Sequence, residues 1–514
     1  MRKKLAESFD EIYILNLHGN SLIGETTPDG GKDENVFDIR QGVAIALFVK
    51  TGNKKDKLAK VFYEDLYGLR GDIDKKDTKY YYLWNNNVKT TEWQELDLKK
   101  PQYFFIKKDY SKSEDYKRLI PLEDIFNKYT TGVKTHRDKF VIDFEKKKLE
   151  DRIINFISFD GSEDLIKASC NISNNDAIDI VKAKKDLVDV SNVEDLVVPL
   201  AYRPFDLRWI CFHSSVIERH RLPLMASMLS PNLGLVSSRQ FGGHRHFIVF
   251  VSDKIIEISS QPYAPYNIFP VYIYDGQEVD LDPQKQQSFL PQDQMSLKSG
   301  GKTVNFNQEF LDKIDRNLIS PDPPKRKVSY EDIFYYIYAV LYSNVYRQKY
   351  EEFLKIDFPK IPFTKDYKLF KQLSDLGKEL VDLHLLKSSE LNSPTVKFFG
   401  RGGSGRVEKK EYISQDKAKA YWSSSGKSPK KFEKSGVIRI NEKQFFGGVE
   451  PEVWNYQIGG YQVLDKWLKD RKDRTLNPDE IRHYCRVVTA IKETIKLQEE
   501  IDKLYPKVEE DLVN

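Results

Sequence analysis

The sequence predicts an α+β fold from three observations. Two long apolar runs, at 9–19 and 42–50, are rich in β-branched and aromatic residues and are typical of strands. The middle of the chain carries shorter, alternating strand patterns. Segments with helical spacing and capping signals follow mainly in the last third, beginning near residues 329, 370 and 478. Strands grouped ahead of long helices favour α+β.

The first 110 residues predict a small sheet. The run FDEIYILNLHG is followed by a Gly/Asp/Thr loop at 24–33 and by the second run, GVAIALFVK. Continuous apolar strands of this kind are usually buried on both faces. The aromatic-rich segments 78–84 and 103–107 predict two more strands, and a helix is expected around 121–129.

The middle of the chain mixes helix, strand and polar loop. Residues 198–217 predict two strands around a turn at Pro204. Other predictions are a helix at 176–186, strands at 247–251 and 271–274, a polar loop at 276–302, and a Ser/Gly/Lys-rich mobile loop at 387–436.

Three helices have identifiable starts or stripes. Ser329 is a good N-cap, and Asp332 three residues later predicts a capping box. The apolar spacing of residues 370–386 predicts an amphipathic helix. For the helix at 478–505, Asn477 is the N-cap, Pro478 is the first residue, and Glu480 completes a capping box.

Composition excludes several classes of protein. The 514 residues include 82 Lys+Arg and 78 Asp+Glu, so a net charge of +4 excludes a histone-like polycation. The 40% hydrophobic content excludes global disorder. Three scattered cysteines provide neither a disulfide framework nor a zinc motif. Without an apolar run of membrane length or a signal-peptide core, we expect a cytoplasmic protein. Without a recognisable ligand spacing, we expect no metal site.

The positive charge is unevenly distributed. Six of the 22 arginines lie in residues 202–246, which contain no lysine and only two acidic residues. Residues 401–443 contain twelve Lys/Arg against five Asp/Glu. Local excesses of this kind on a nearly neutral protein predict anion-binding surfaces.

The arginine-rich window also contains many aromatic residues, and it predicts contact with DNA. Arginine suits bidentate contact with guanine or phosphate, and the amides of Asn232 and Gln240 suit adenine edges. Arg203 and Arg208 flank the predicted turn at Pro204, so holding that turn is an equally good interpretation for them.

Several short strings resemble catalytic motifs without the required context. FFGRG at 398–402 fits a nucleotide loop, but no helix signal follows it, and a flexible basic linker is the better interpretation. DPPK at 322–325 lacks the aromatic of an amino-methyltransferase motif, and no Glu-x-Lys partner supports a nuclease. His220 and the His244-Arg245-His246 string lack a metal-ligand spacing.

Longer strings carry a resemblance to a known family. FDEIYILNLHGN and ENVFDIRQGVAIALFVK resemble the closing strands of the catalytic sheet in DNA adenine-N6 methyltransferases. The chain also resembles the C-terminal specificity region of type ISP restriction–modification enzymes and their type IIG relatives, over almost its whole length, in the strings GVKTHRD, YRPFDLRW, NLGLVSSRQ, EDIFYYIYAVLYSNVYRQKYEEFLKIDFPKIP and VWNYQIGGYQVLDKWLKDR.

The resemblance implies three parts. Residues 1–110 would be strands of a Rossmann-like methyltransferase sheet, residues 111–330 the β-rich half of a target recognition domain, and residues 331–514 its helical half. The family's nuclease, motor, S-adenosylmethionine loop and N-P-P-Y motif are missing from this sequence. We therefore expect no cofactor in this chain, no catalysis by it alone, and an upstream methyltransferase/nuclease part, covalent or separate, as its partner.

The implied function is sequence-specific binding of double-stranded DNA that positions a flipped adenine for N6 methylation. Phe37 lies where the family has an aromatic that stacks on that adenine. The expected DNA contacts are Lys134, Arg137, Arg203, Arg208, Arg219, Arg221, Arg239, Gln240, Arg245 and the basic loop at 401–443. Two alternatives stay open: a catalytically complete methyltransferase or nuclease, and a scaffold that binds protein through the helices at 329–386 and 478–505.

Overall fold

The structure, a computed structural model, forms two compact units. The first spans Met1–Ser113 and the second holds the described residues from Glu114 onward. The described residues are 1–21, 24–52, 57–100, 102–173, 178–188, 192–239, 247–258, 265–274, 301–318, 320, 327–400, 402–418 and 435–513. Within these ranges, every helix is too short or too polar to span a bilayer.

The first unit is a four-stranded mixed sheet with two short helices. Its elements are α1 Arg2–Ser8, β1 Glu11–His18, β2 Val43–Val49, β3 Lys60–Asp65, α2 Lys79–Asn85 and β4 Gln94–Leu96. The strand order is β2-β1-β3-β4. β1 and β3 are parallel, whereas β2 and β4 run antiparallel to their neighbours. Ile12 and Val61 are fully buried in a small apolar core that includes Ala6 of α1.

β2 is present as predicted, but its predicted burial on both faces is wrong. In the described residues β2 is an end strand of the sheet, and its five central residues, Ala44 to Phe48, are exposed. Ile45 and Leu47 each keep 42% of their surface accessible. An apolar run predicts burial only when other elements cover it, and no described residue of this unit does so here.

Two other strands predicted in this unit are absent. Residues 79–85 form α2 because Thr78 caps the helix and accepts a hydrogen bond from the Tyr81 backbone N–H. Residues 103–107 belong to no strand, although Phe105 is buried in the core. Aromatic residues favour strands only weakly, so a cap and local packing override them.

The second unit contains most of the helices. They are α3 Ser113–Lys117, which begins at the last residue of the first unit, α4 Leu122–Ile125, α5 Asp138–Val141, α6 Lys146–Ser158, α7 Glu163–Ser169, α8 Ile180–Val188, α9 Val193–Leu196, α10 Leu222–Met225, α11 Gln308–Asn317, α12 Tyr330–Tyr342, α13 Asn344–Lys349, α14 Glu351–Leu354, α15 Tyr367–His384, α16 Pro451–Asn455, α17 Val463–Lys469 and α18 Pro478–Leu504.

Its strands are short and belong to several small sheets. They are β5 Ile120–Pro121, β6 Thr130–Thr131, β7 Ile142–Asp143, β8 Val197–Arg203, β9 Asp206–Cys211, β10 Gly234–Ser237, β11 Val249–Ser252, β12 Ile255–Ile256, β13 Asn267–Pro270, β14 Tyr272–Tyr274, β15 Lys302–Val304, β16 Lys360–Ile361, β17 Lys397–Phe399, β18 Glu411–Ile413, β19 Gly436–Arg439, β20 Phe445–Val449, β21 Gln457–Ile458 and β22 Tyr461–Gln462. The four-stranded sheets have the orders β11-β10-β13-β6, β12-β8-β9-β7 and β17-β20-β19-β18. The α+β class and the helical C-terminal part are confirmed.

The second unit is built around α12, α15 and α18. All but four residues of α12 are buried, and Tyr342 donates a hydrogen bond to the Val249 carbonyl of β11 at 2.9 Å. Gly377 lets α15 lie directly against α12, because a Cβ there would come within 1.9 Å of the Tyr335 carbonyl oxygen. His384, the last residue of α15, lies 2.6 Å from Tyr338 Oη of α12 and 2.9 Å from Thr494 Oγ1 of α18, and burial lowers its pKa to about 3.

The predicted N-caps at Ser329 and Asn477 and the predicted hairpin are confirmed. Asn477 and Glu480 form a reciprocal capping box at the start of α18, with Pro478 as the first helical residue. Ser329 caps α12 by accepting from the Asp332 N–H at 3.0 Å, which is one half of the predicted capping box, and the Asp332 carboxylate lies 2.7 Å from Lys371 Nζ. β8 and β9 form an antiparallel hairpin whose turn holds Pro204, with Phe205 in the left-handed region at φ 61°.

Candidate nucleic-acid interface

Two predicted DNA-contact segments of the second unit lie side by side. The Lys134 N–H donates to the Arg219 carbonyl and the Arg219 N–H donates to the Lys134 carbonyl, each at 3.0 Å. Arg137 Nη1 donates to the Val216 carbonyl at 3.0 Å, across 79 positions of sequence. The fold therefore joins the loop between β6 and α5 to the loop after β9.

A lysine, an arginine and a histidine of these loops surround one carboxylate. Glu218 lies 3.8 Å from Lys134 Nζ, 3.4 Å from Arg219 Nε and 2.8 Å from His136 Nδ1. We call Lys134, His136, Glu218 and Arg219 the Glu218 cluster. Its cations outnumber its single acid even when His136 is neutral. Surface ion pairs of this kind are weak, so a phosphate can compete with Glu218 for these side chains.

The backbone around the Glu218 cluster is unusual. His136 and Arg221 adopt left-handed conformations, with φ 58° and φ 56°, although neither is glycine. Arg221 Nε is buried and has no hydrogen-bond partner among the described residues. Burial, with a smaller contribution from His213 and Arg221, lowers the pKa of the neighbouring His220. Strained positions held by their surroundings tend to occur at binding sites.

Arg203 and Arg208 have different surroundings from the Glu218 cluster. Arg203 is 5% exposed, and its Nη1 lies 2.5 Å from Glu257 Oε2. Arg208 Nη2 lies 2.8 Å from Asp206 and 3.0 Å from Asp470, and its guanidinium covers the Tyr202 ring at 3.6 Å. These contacts favour the structural interpretation that the sequence left open for both arginines.

Sequence reasoning missed the residue that completes this buried network. Arg471, just after α17, lies 2.8 Å from Asp206 Oδ1, and both side chains are 4% exposed. Burial opposes ionisation of Asp206, but the charges of Arg471 and Arg208 outweigh it and lower the Asp206 pKa. No local pattern indicated this pair, because its members are 265 positions apart.

Arg239 is about half exposed and already has several partners. Its guanidinium contacts Glu123, lies 3.1 Å from Asp357 and covers the Phe358 ring at 5.0 Å. A DNA base must therefore displace a carboxylate or use another edge of the guanidinium. The base-reading role of Arg239 stays a prediction.

Asn232, a further predicted base contact in the described part of the arginine-rich window, does not extend this surface. The Asn232 amide donates to the Ser227 and Tyr272 carbonyls at 3.0 and 2.7 Å, so its hydrogen-bonding capacity is used inside the protein. Its predicted adenine contact has no support here. Gln240, Arg245 and the His244–His246 string lie outside the described residues.

The segment 387–436, predicted to be a mobile loop, is partly folded, because β17 and β18 lie within it. The overlapping basic region 401–443 also contains β19, and several of its described cations have acidic neighbours, such as Lys410 beside Asp465 and Arg439 beside Glu411. Gly400 has φ 115°, and a Cβ there would lie 2.2 Å from the Lys443 carbonyl oxygen. Close approach of two chain segments thus explains this glycine of the FFGRG string.

Phe37 belongs to the first unit, in the loop between β1 and β2. Its side chain is 59% exposed, whereas the preceding Val36 is 3% exposed. This exposure excludes the alternative that Phe37 is a buried core residue at a strand end. An exposed aromatic ring on a loop is available for stacking, but the adenine-stacking role itself stays a prediction.

The described residues contain no cluster of three or more His, Cys, Asp or Glu side chains suited to a metal ion. The described surroundings of the FFGRG string also do not fit an S-adenosylmethionine loop. β17 includes its first two residues, but the described residues 402–410 form no helix after it. A nucleotide loop needs the N-terminus of such a helix.

Comparison with known families gives one match to a family model. The family described as Type ISP C-terminal specificity domain matches residues 124–500. The matched region includes every member of the Glu218 cluster. No curated protein matches the chain.

Solved structures share its fold at low sequence identity. One is the ATP-dependent Type ISP restriction-modification enzyme LlaBIII bound to DNA, with TM-score 0.68 and 21% identity, covering 98% of this chain and 31% of that one. A nuclease-deletion mutant of the Type ISP enzyme LlaGI with a DNA substrate mimic has TM-score 0.63 and 19% identity, covering 97% and 37%. A DrdV–DNA complex has TM-score 0.65 and 19% identity, covering 97% and 48%. This chain thus spans about a third to a half of those proteins.

Proposed function

Because the chain belongs to the family of Type ISP C-terminal specificity domains, we propose that it recognises a specific sequence in duplex DNA for a restriction–modification enzyme. The observation that carries the proposal is the Glu218 cluster, an exposed group of cations on two loops inside the matched region. The DNA in the three similar structures supports the same assignment.

In this proposal the Glu218 cluster contacts phosphates. Lys134 and Arg219 are on adjoining loops whose backbones are hydrogen-bonded to each other, so the two charges approach DNA as one surface. Glu218 keeps the side chains extended in the free protein and releases them when a phosphate replaces it. Phosphate contacts fix the position of a protein on DNA but carry no sequence information.

Base reading falls to other arginines. Arg221 and Arg239 are our candidates, together with Gln240 and Arg245, which the sequence also predicts to contact DNA. Glu123, Asp357 and the Phe358 ring hold the Arg239 guanidinium in one orientation, which suits a planar group that reads guanine in the major groove. Arg203 and Arg208 are assigned to the fold instead.

The methyltransferase part of the proposal concerns the first unit. A parallel pair, β1 and β3, with antiparallel strands on both sides is compatible with the closing part of a Rossmann-like sheet. The exposed apolar strand β2 then meets a catalytic part, covalent or separate, that this chain does not contain. That part would bind S-adenosylmethionine, while Phe37 stacks on the flipped adenine.

Selection from a random duplex pool tests sequence recognition by the chain. We expect the protein to enrich one motif, whereas enrichment of none would contradict the proposal. Replacing both Lys134 and Arg219 with alanine should weaken binding to all duplexes alike, because both contact phosphates. The slope of log K against log salt should become shallower by roughly 2, at about 0.9 per lost contact.

A matched control removes two other exposed lysines that also pair with acids. Lys378 and Lys496 pair with Asp382 and Glu493 on the surfaces of α15 and α18. The double variant Lys378→Ala/Lys496→Ala should keep the salt slope of the unchanged protein. Equal slopes for both double variants would show that the Glu218 cluster does not contact DNA.

A further inference from the structure

The loop that carries Phe37 is held in place on both sides of that residue. The Phe37 N–H donates to Asn35 Oδ1 at 2.8 Å, and the Val36 carbonyl accepts from Tyr80 Oη at 2.6 Å. Asp38 pairs with Arg70 at 2.7 Å. The ring is exposed, whereas its surroundings are fixed by hydrogen bonds to α2 and to the loop that follows β3.

A buried ion pair lies under this loop. Lys79 Nζ is 2.8 Å from Asp33 Oδ1, and both side chains are fully buried. Nζ also donates to the Leu17 and Glu34 carbonyls at 2.7 and 2.6 Å. The ammonium therefore joins α2 to the end of β1 and to the Phe37 loop at once.

Asp33 joins two more segments. It accepts hydrogen bonds from the Gly19 N–H at 2.5 Å and from the Gly68 N–H at 2.7 Å. Gly19 has φ 76°, and a Cβ there would lie 2.4 Å from Asn35 Cα, so the two limbs of the loop cross in direct contact. Asp33 thus fixes where the loop leaves β1 and where it passes the segment after β3.

A buried ion pair is a poor source of stability, because the loss of hydration offsets most of the attraction between the charges. Apolar side chains of similar volume often stabilise a protein equally well. In this protein the hydrogen bonds of the pair go to backbone groups at residues 17, 19, 34 and 68, so they restrict the loop by directional contacts that apolar side chains would not make. An aromatic ring held ready on a rigid loop binds with less loss of conformational entropy.

We infer that Asp33 and Lys79 are positioning residues that hold the Phe37 ring in place to stack on a base outside the duplex. The inference rests on the proposed stacking role of Phe37 and extends it to two residues that do not touch the base. They act by ordering residues 33–38, so their loss lowers capture of an unpaired base without changing contact with paired DNA.

The test uses the whole 514-residue chain with two apolar substitutions, Asp33→Leu and Lys79→Met, in one protein. This variant removes the charges and hydrogen bonds together, so neither charge is left buried alone. A thermal unfolding curve checks that the first unit remains folded. The conservative variant Lys79→Arg, made in the otherwise unchanged protein, is a second test. It keeps the charge but only part of the hydrogen bonding.

The first measurement reports loop order without DNA. Phe37→Cys places a nitroxide label on the loop, because Cys170, Cys211 and Cys485 are buried and do not compete for it. We expect restricted motion of the label with Asp33 and Lys79 present and fast motion in the apolar double variant. The mobility of the label in Lys79→Arg should lie between these two. A label at Lys89, an exposed turn residue of the same unit, should not change.

The second measurement, made without the label, compares affinity for two probes, a fully paired duplex and the same duplex with one bulged adenine. Phe37→Ala should reduce the preference for the bulged duplex by about five- to a hundredfold, the range expected for loss of one stacked base. The apolar double variant should reduce the same preference while affinity for the paired duplex stays unchanged.

The possible results separate the two ideas. If Phe37→Ala leaves the preference unchanged, the stacking role fails and the inference fails with it. If Phe37→Ala reduces the preference but the apolar double variant does not, only the positioning role is wrong. An immobile label in the apolar double variant likewise overturns the positioning role. If the double variant does not fold, failure of Lys79→Arg to change either readout overturns it as well.

Discussion

Arg203 and Arg219 belong to the same arginine-rich window, but the structure gives them opposite surroundings. Arg203 lies at the end of β8, is nearly inaccessible, and pairs with a buried carboxylate, Glu257. Arg219 lies in a loop, has a side chain 54% exposed, and shares Glu218 with Lys134 and His136. An excess of arginine in a sequence segment therefore combines side chains that hold the fold with side chains that can meet an anion.

Changing each of these two arginines to alanine should separate the two roles. Arg203→Ala leaves Glu257 buried without this partner, so we expect a loss of about 3–5 kcal/mol in the free energy of unfolding. Arg219→Ala should change it by less than about 0.5 kcal/mol, as surface substitutions usually do. Denaturant unfolding measures both. Equal losses of unfolding free energy would contradict the comparison.

Arg203→Ala should also keep the salt slope of DNA binding of the unchanged protein, measured at a temperature where the variant is folded.

Lowering the pH should weaken the buried network that contains Asp206 and so lower the free energy of unfolding. Its folded-state pKa is lowered by Arg471 and Arg208 against the effect of burial, so its contribution to stability is present above the ordinary value of 3.8. That contribution is lost as pH falls through the lower, folded pKa. The free energy of unfolding should therefore fall more steeply below about pH 4 in the unchanged protein than in Asp206→Asn. Parallel pH profiles would contradict this assignment.

His18 is a buried group of the first unit for which the sign of the pH effect is the opposite of that for Asp206. Burial alone would lower its pKa, but hydrogen bonds with Asp65 and Glu25, at 2.8 and 2.7 Å, raise it above 6.5. Tyr67 stacks on the His18 ring. Lys107 Nζ lies 3.6 Å from Asp65 Oδ2, the carboxylate oxygen that does not face His18.

Because the folded-state pKa of His18 is raised, its stabilising contribution is complete below pH 6.5 and is lost as pH rises through the folded value. Hydrogen exchange of residues 19–21 and 24–25 should therefore accelerate above pH 6.5 by more than the intrinsic rate does. The variant His18→Gln should show no excess acceleration. An excess that persists in His18→Gln would assign the effect to another group.

The smallest expected effect concerns the acid of the Glu218 cluster. Glu218→Gln removes the carboxylate that competes with phosphate, so duplex DNA should bind about two- to fivefold more tightly at low salt, since surface pairs contribute up to about 1 kcal/mol. The gain should vanish at high salt because exposed charges are screened. A matched change, Glu493→Gln on α18, should leave the affinity unchanged. Weaker binding by Glu218→Gln would show that Glu218 organises the site instead.

The sequence correctly predicted features that depend on neighbouring residues. The capping box of Asn477 and Glu480 closes within four residues, and the turn between β8 and β9 is set by Pro204 and its neighbours. The apolar runs of β1 and β2 were also found. The segment 78–84 was misassigned as a strand, because the cap at Thr78 and the burial of Lys79 outweighed its aromatic residues.

By itself, then, the sequence determined the α+β class, the helix starts at Ser329 and Asn477, the local hairpin and the segments that carry excess arginine. The tertiary structure alone decided which arginines face solvent, because their partners are distant: Asp470 is 262 positions from Arg208 and Asp206 is 265 from Arg471. It also decided that β2 is exposed and that Phe37 lies on a loop fixed by Asp33 and Lys79. Burial and charge pairing depend on which segments meet, and no local pattern encodes that.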